Sequence, residues 1–292
     1  MSSPVLEVDG LRKEFPILRG AVLRRRAGAV SAVRNVSFSL GERDTLALVG
    51  ESGSGKTTVA RCLVRLVEPT AGRVAFGGED VAGYGRRGLR QLRRRMQLIF
   101  QDAYGSLDPR QPLREAIAEP LRVHGLASGR AAERARVAEL LALVGLSSHH
   151  AHRYPHALSG GERQRAALAR SLACEPRVLI LDEPLSALDV SIRAQLLNLL
   201  ADLQAKLGLS YLLIAHDLSI VRYLARRVAI MCEGEIVELA DRDALFAAPQ
   251  HPQTRMLLEA VPMPDPDREQ RRRRERLEAL GRRGGQNHRR SG

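Results

Sequence analysis

The chain has 292 residues, is 44% hydrophobic and 27% charged, and carries a net charge of +13 with no Trp. That length suits one sizeable α/β domain, or a core domain with a smaller insert. No apolar run is long enough to cross a bilayer, and the first residues lack a basic segment followed by an apolar core, so a protein made and kept in the cytosol is expected. Cys62, Cys174 and Cys232 lie far apart without metal-ligand spacing and read as reduced, buried thiols. The positive charge is uneven. Residues 265–292 hold ten Arg against five acids, a net +5, and further clusters occur at Arg24-Arg25-Arg26, Arg86-Arg87 and Arg93-Arg94-Arg95. No aromatic residues interleave with these clusters, so a base-stacking platform is not supported.

In chain order, residues 6–11 and 32–40 read as strands, and the basic, Gly-containing segment 17–30 between them reads as a loop. Residues 45–49 form a short apolar run expected to be a buried strand, and residues 58–66 a helix with one apolar face. Between them, Gly50-Glu51-Ser52-Gly53-Ser54-Gly55-Lys56-Thr57 fits the phosphate-loop pattern of Gly, four residues, then Gly-Lys-Ser/Thr. The glycines let backbone N–H groups turn inward around a polyphosphate, and the helix that Thr58 continues adds its dipole. Lys56 is expected to reach the β- and γ-phosphates, and the Thr57 hydroxyl to bind Mg²⁺. The competing reading is a Gly/Ser-rich turn before an ordinary helix; the strand–loop–helix context argues against it.

Residues 73–76 read as a short edge strand, 86–95 as a basic helix and 96–101 as strand-like. Strand propensity is low from about 102 to 158, with helices expected at 113–124 and 129–143, so this stretch reads as a helical insert. Ser159-Gly160-Gly161 opens a helix over 162–174. A buried strand at 178–181 then ends in Asp182 and Glu183. A helix at 190–207, a strand at 210–214 ending at His216, a helix at 218–225 and a hairpin of 227–231 with 235–238 follow. Strands alternating with helices argue for an α/β core with a largely parallel sheet. After residue 263 the composition shifts to Arg, Glu and Gly, as in a flexible tail.

The strand end at Asp182 is where a carboxylate can hold Mg²⁺ beside a phosphate loop, and Glu183 is placed to orient a water for in-line attack on a γ-phosphate. Two acids capping the next helix is the alternative. Ser159-Gly160-Gly161 is a second anion site, with exposed N–H groups and a hydroxyl. Two such sites make sense if the second serves the nucleotide of a partner subunit. His149, His150, His152 and His156 read as exposed loop polarity, because no carboxylate pattern accompanies them.

Taken in order, the Gly50-to-Thr57 loop, Gln101, Leu158-Ser159-Gly160-Gly161-Glu162, Asp182-Glu183, Ser186-Ala187-Leu188-Asp189 and His216 resemble the ATP-binding subunit of ABC transporters. The resemblance runs from about residue 6 to 263. It implies an α/β, ABC-type P-loop ATPase with a RecA-like core, an antiparallel β subdomain and the helical insert at about 102–158. The ATP-binding domain then covers 1–263, and 264–292 is an Arg-rich tail. It implies ATP and Mg²⁺ as ligands, shared between two subunits arranged head to tail. Each nucleotide would lie between one subunit's Gly50, Glu51, Ser52, Gly53, Ser54, Gly55, Lys56, Thr57 and Thr58 and the other's Ser159, Gly160 and Gly161. Thr57, Asp182 and Gln101 would hold Mg²⁺, with Gln101 also touching the attacking water. Glu183 would act with His216, Asp189 would sit in the loop crossing the dimer interface, and Phe15 would stack on adenine.

Residues 51–55, 98–110, 158–165 and 251–254 further resemble the oligopeptide/dipeptide importers, in their second ATPase subunit. That implies a peripheral subunit on the cytoplasmic side of the inner membrane. Its expected partners are a like or unlike ATPase subunit, two membrane permease subunits and, indirectly, an extracytoplasmic solute-binding protein, with no nucleic acid. Cargo would be peptides or a related small solute such as nickel or glutathione. Many members carry a cysteine-rich segment where this chain has residues 265–292 without Cys, so no iron–sulfur cluster is expected. A soluble ABC-type ATPase acting on ribosomes or nucleic acid is the alternative. One phosphate loop and no sustained heptad run argue against it.

Overall fold

A computed structural model describes residues 3–19, 25–100, 106–186 and 188–259. Gln101, Ala187 and the Arg-rich tail lie outside the described residues. Within them the chain runs β1 (Leu6–Arg19), β2 (Arg25–Leu40), β3 (Thr45–Val49), α1 (Lys56–Leu63), β4 (Ala71–Phe76), β5 (Glu79–Asp80), α2 (Arg86–Arg95) and β6 (Met96–Ile99). Then come α3 (Leu113–His124), α4 (Gly129–Leu143), α5 (Gly160–Leu172), β7 (Val178–Asp182), α6 (Val190–Leu207), β8 (Ser210–Ala215) and α7 (Leu218–Leu224). The described chain closes with β9 (Arg227–Cys232), β10 (Glu235–Asp241), α8 (Arg242–Ala247) and α9 (Pro252–Glu259).

The strands form one sheet in the order β5-β4-β1-β2-β10-β9-β3-β8-β7-β6. From β6 to β9 all neighbours are parallel, and β10 closes that part antiparallel to β9. The β5-β4-β1-β2 part is antiparallel and joins the rest through the single pair Glu235 and Asn35. The parallel strands β3, β7 and β8 are largely apolar because both their faces are covered. Ala47, Leu179, Leu181, Tyr211, Leu213, Val228 and Ile230 pack into one core. Their alternate neighbours Leu46, Leu48, Val178, Ile180, Leu212, Ile214, Ala229 and Met231 pack into the core on the other face. The fold is thus the α/β core plus antiparallel part that the sequence implies.

One expectation fails. Segment 17–30 is not a loop where it is described: β1 and β2 continue as a long ribbon, pairing Phe15 with Val30, Ile17 with Gly28 and Arg19 with Arg25. Phe15, Ile17 and Val30 are 40%, 43% and 54% exposed. A ribbon with both faces toward water is held by its ladder hydrogen bonds, so it needs no apolar alternation and leaves none to read. The helices α8 and α9 are also additions to the sequence reading. Helices α3 and α4 pack on each other and on α5. No helix among the described residues is long and apolar enough to cross a membrane.

Register places the chemistry. Val49 pairs with Ala215 and Asp182 with Ile214, so β3, β7 and β8 end level with one another. The residues just beyond those ends, Gly50, Glu183 and His216, therefore share one edge of the sheet. In open parallel sheets this carboxyl edge is where ligands bind.

Candidate functional site

The phosphate loop is wedged in place by its glycines. A Cβ on Gly50 would come within 2.1 Å of the Met231 carbonyl oxygen, and one on Gly55 within 2.2 Å of the Ala32 carbonyl oxygen. Gly55 also has φ of 105°, in the region that side chains disfavour. The Gly234 N–H donates to the Ser54 carbonyl at 3.0 Å, tying the loop to the β9–β10 turn. Ser54 is buried while Glu51, Ser52 and Gly53 are exposed, and Thr57 and Thr58 sit half-buried on α1.

Lys56 opens α1 and is 5% exposed. Its ammonium donates to the Gly50 carbonyl at 2.8 Å, to the Glu51 carbonyl at 2.7 Å and to the Ser54 hydroxyl at 3.3 Å. Burial pushes its pKa down, while Glu183, Asp182 and Glu51 nearby work the other way. The Thr57 hydroxyl donates to Asp182 Oδ1 at 3.2 Å. Asp182 is itself 4% exposed, and burial raises its pKa against the pull of the Thr57 bond. Two hard oxygen donors side by side at the foot of a phosphate loop fit Mg²⁺. The loop with its buried ammonium fits a polyphosphate.

Glu183 and His216 meet: Glu183 Oε2 lies 3.0 Å from His216 Nδ1. Glu183 has φ of 48°, unusual for a residue with a side chain, and its N–H donates to the Ile214 carbonyl at 3.0 Å. Strained backbone of this kind persists where the surroundings fix it, and it clusters at active sites. Its side chain is 20% exposed against 56% for His216, so the carboxylate is largely sheltered and the imidazole reaches outward.

Ser159 caps α5 in a reciprocal capping box with Glu162. The Ser159 N–H and hydroxyl both donate to Glu162 Oε2 at 2.8 Å. Those bonds, together with His150 Nε2 at 3.0 Å from Oε1, hold the Glu162 carboxyl at about 2. Gly160 and Gly161 lie against Leu188 and Ile192 at the start of α6. Arg193, one position on, bonds Asp217 at 2.9 Å and the Leu188 carbonyl at 3.3 Å.

The structure thus gathers Lys56, Thr57, Asp182, Glu183 and His216 at one edge. The turn at Ser159, Gly160 and Gly161 bonds Glu162 and lies against Leu188 and Ile192. Phe15 stands exposed on the ribbon with the Lys13 ammonium 5.0 Å above its ring. Sequence reasoning did not single out Arg193, Asp217 or Glu238, and it noted Gln253 only within the 251–254 motif and without a role, because each acts through a partner distant in sequence. His150 was read as loop polarity but is a structural bond to Glu162. His152 bonds Arg114, and His156 stacks on Tyr154. Cys62 and Cys174 are buried, with thiols pushed up to about 11, while Cys232 is only partly covered.

The family model described as ABC transporter matches residues 33–186, more than half the chain. The chain belongs to the ABC transporter family. A second model, described as the C-terminal region of oligopeptide/dipeptide transporters, matches residues 237–285. Relatives named glutathione import ATP-binding protein GsiA, from Salmonella paratyphi A and Escherichia coli K12, are 52% and 53% identical over 91% of this chain. The chain spans 42% of the length of those relatives. Among solved structures, the dimeric, post-hydrolysis ATP-binding cassette MJ0796 bound to ADP and Pi is 26% identical, with a TM-score of 0.72 over 81% of this chain and 98% of its own. The cassette cbiO1 from Clostridium perfringens, part of the complex cbiONQ, is also 26% identical and gives 0.72 over 85% and 92%.

Proposed function

We propose that this cassette is the energy-coupling ATPase of a membrane importer for peptides or a related small solute such as nickel or glutathione. It works on the cytoplasmic side of the inner membrane, paired head to tail with a second ATPase subunit and docked on two permease subunits. A solute-binding protein outside the membrane supplies them. The observation that carries this reading is the gathering of Lys56, Thr57, Asp182, Glu183 and His216 at one sheet edge, with a separate capped turn at Ser159 on the same chain. The match to the importer C-terminal region and the names of the relatives support the import direction and the class of cargo.

In this reading Lys56 exchanges its carbonyl partners for phosphate oxygens, and the loop amides from Gly50 to Thr58 hold the rest of the polyphosphate. Thr57 and Asp182 hold Mg²⁺ together with Gln101, which lies outside the described residues. Bound there, the ion neutralises charge on the β- and γ-phosphates. Glu183 orients the attacking water, and His216 fixes the carboxylate from the solvent side through the 3.0 Å contact. Phe15, exposed on the ribbon, stacks on the base. The helices at about 102–158 carry the motion to the permeases. Residues 1–263 form the cassette, and residues 264–292 are an appended basic tail.

The test is affinity purification from detergent-solubilised membranes. Co-purification of hydrophobic permeases and a second cassette is the expected result. Recovery of ribosomes or nucleic acid in their place overturns the proposal.

A further inference from the structure

The helix α9 is fastened to the sheet by one carboxylate. Glu238 on β10 accepts from the Gln250 N–H at 3.0 Å, the His251 N–H at 2.9 Å and the Thr254 hydroxyl at 2.5 Å. Thr254 is fully buried. Burial alone would raise the Glu238 pKa, but these bonds outweigh it and bring it below the usual carboxylate range. From this base the Gln253 amide, one residue before Thr254, donates to Glu51 Oε1 at 2.8 Å. The two residues are 202 positions apart.

Glu51 is an awkward residue for its place. It follows Gly50 directly in a loop that receives an anionic polyphosphate, and its carboxylate is exposed. Its own carbonyl accepts from Lys56 at 2.7 Å. A carboxylate free to swing over the loop would repel phosphate and compete with it for Lys56. A neutral amide donor removes that problem without adding a charge of its own.

We propose that Gln253 is a positioning residue for nucleotide binding: it draws the Glu51 carboxylate toward α9, off the phosphate cradle, and so makes the C-terminal region part of the ATP site. This rests on the reading that the Gly50-to-Thr58 loop holds the phosphates of ATP. The anchor at Glu238 gives Gln253 a fixed origin, so the position of α9 sets the posture of Glu51.

The experiment uses the full chain with Mg·ATP, measuring KM and kcat together with direct binding of a fluorescent ATP analogue. Lys56→Ala is the control for the underlying reading: if it leaves nucleotide binding unchanged, that reading falls, whatever Gln253 does. With the control behaving as expected, Gln253→Ala raises KM by about 3- to 10-fold and leaves kcat within about two-fold. Gln253→Lys, which keeps a donor, restores KM to within about two-fold of the native value. Gln253→Glu, which sets a second carboxylate against Glu51, raises KM beyond the Ala variant. In a Glu51→Ala background, Gln253→Ala changes KM by less than about two-fold. An equal KM change in both backgrounds, a Glu variant no worse than Ala, or a loss confined to kcat overturns the proposal.

Discussion

Replacing Glu183 by Gln separates the holding of ATP from its hydrolysis. The substitution keeps the length and shape of the side chain. The backbone bond to Ile214 and the φ of 48° are unaffected, because neither involves the carboxylate. His216 still finds a partner, since an amide can donate to or accept from Nδ1 across the same 3.0 Å. Stability should therefore change by no more than about 1 kcal/mol. What disappears is the negative charge that, in the proposed role of Glu183, polarises water. General-base contributions run from about 10² to 10⁴ in rate, and a hundred-fold loss corresponds to about 2.7 kcal/mol of barrier. The measurement is steady-state phosphate release beside equilibrium nucleotide binding, with gel filtration in Mg·ATP to follow the dimer. Turnover is expected to fall at least about 100-fold with binding intact, and a closed dimer should accumulate. Normal turnover in Glu183→Gln would refute the role of Glu183, and loss of binding would refute the separation of holding from hydrolysis.

Gly50→Ala tests whether the loop is held by close approach. Its Cβ would collide with the backbone carbonyl of Met231, which lies in the middle of the sheet and cannot swing aside. Overpacking of this kind costs about 1–3 kcal/mol, so a lower thermal midpoint with weakened nucleotide binding is expected, and an unchanged protein would count against the wedge. Glu162 supplies a pH test. Its pKa is depressed from 4.5 to about 2, chiefly by the Ser159 backbone bond and then by His150 and the Ser159 hydroxyl. A depressed carboxyl stabilises the fold fully above its unfolded value and loses that contribution as pH falls toward the folded one. Denaturant unfolding of the native chain and Glu162→Gln should therefore show a stability difference that shrinks as pH drops from about 4.5 toward 2, and a constant difference would remove the cap's electrostatic role.

Local pattern carried the reading wherever neighbouring residues make the chemistry. The phosphate loop, the acidic strand end and the Ser159 turn each occupy a handful of consecutive positions, and their strands are apolar because the sheet is covered on both faces. Pattern fails where a residue acts through a distant partner. Nothing near Gln253 announces Glu51, and nothing near His150 announces Glu162. The ribbon of β1 and β2 fails for a related reason. Its ladder bonds are backbone bonds that any sequence can make, so the Gly-containing stretch around Gly28, exposed at residues 28–31, reads as a loop when it is a strand. The expectation for Gln101 falls outside the described residues.

The remaining question is how the two halves of the chemistry communicate within one chain, and the start of α6 answers it geometrically. Leu188 and Ile192 press on Gly160 and Gly161, so closely that a Cβ on Gly161 would lie 2.6 Å from Ile192 Cγ2. One position beyond Ile192, Arg193 grips Asp217, the neighbour of His216, at 2.9 Å. His216 in turn touches Glu183. The Ser159 turn thus lies against Leu188 and the first turn of α6, and Arg193 ties that turn to the corner that holds His216. The path from the Ser159 turn to Glu183 is three contacts long, through Ile192, then Arg193 with Asp217, then His216. A path this short makes Arg193 the side chain to change when asking whether the two places respond to each other, since coupling is shown only by measuring it.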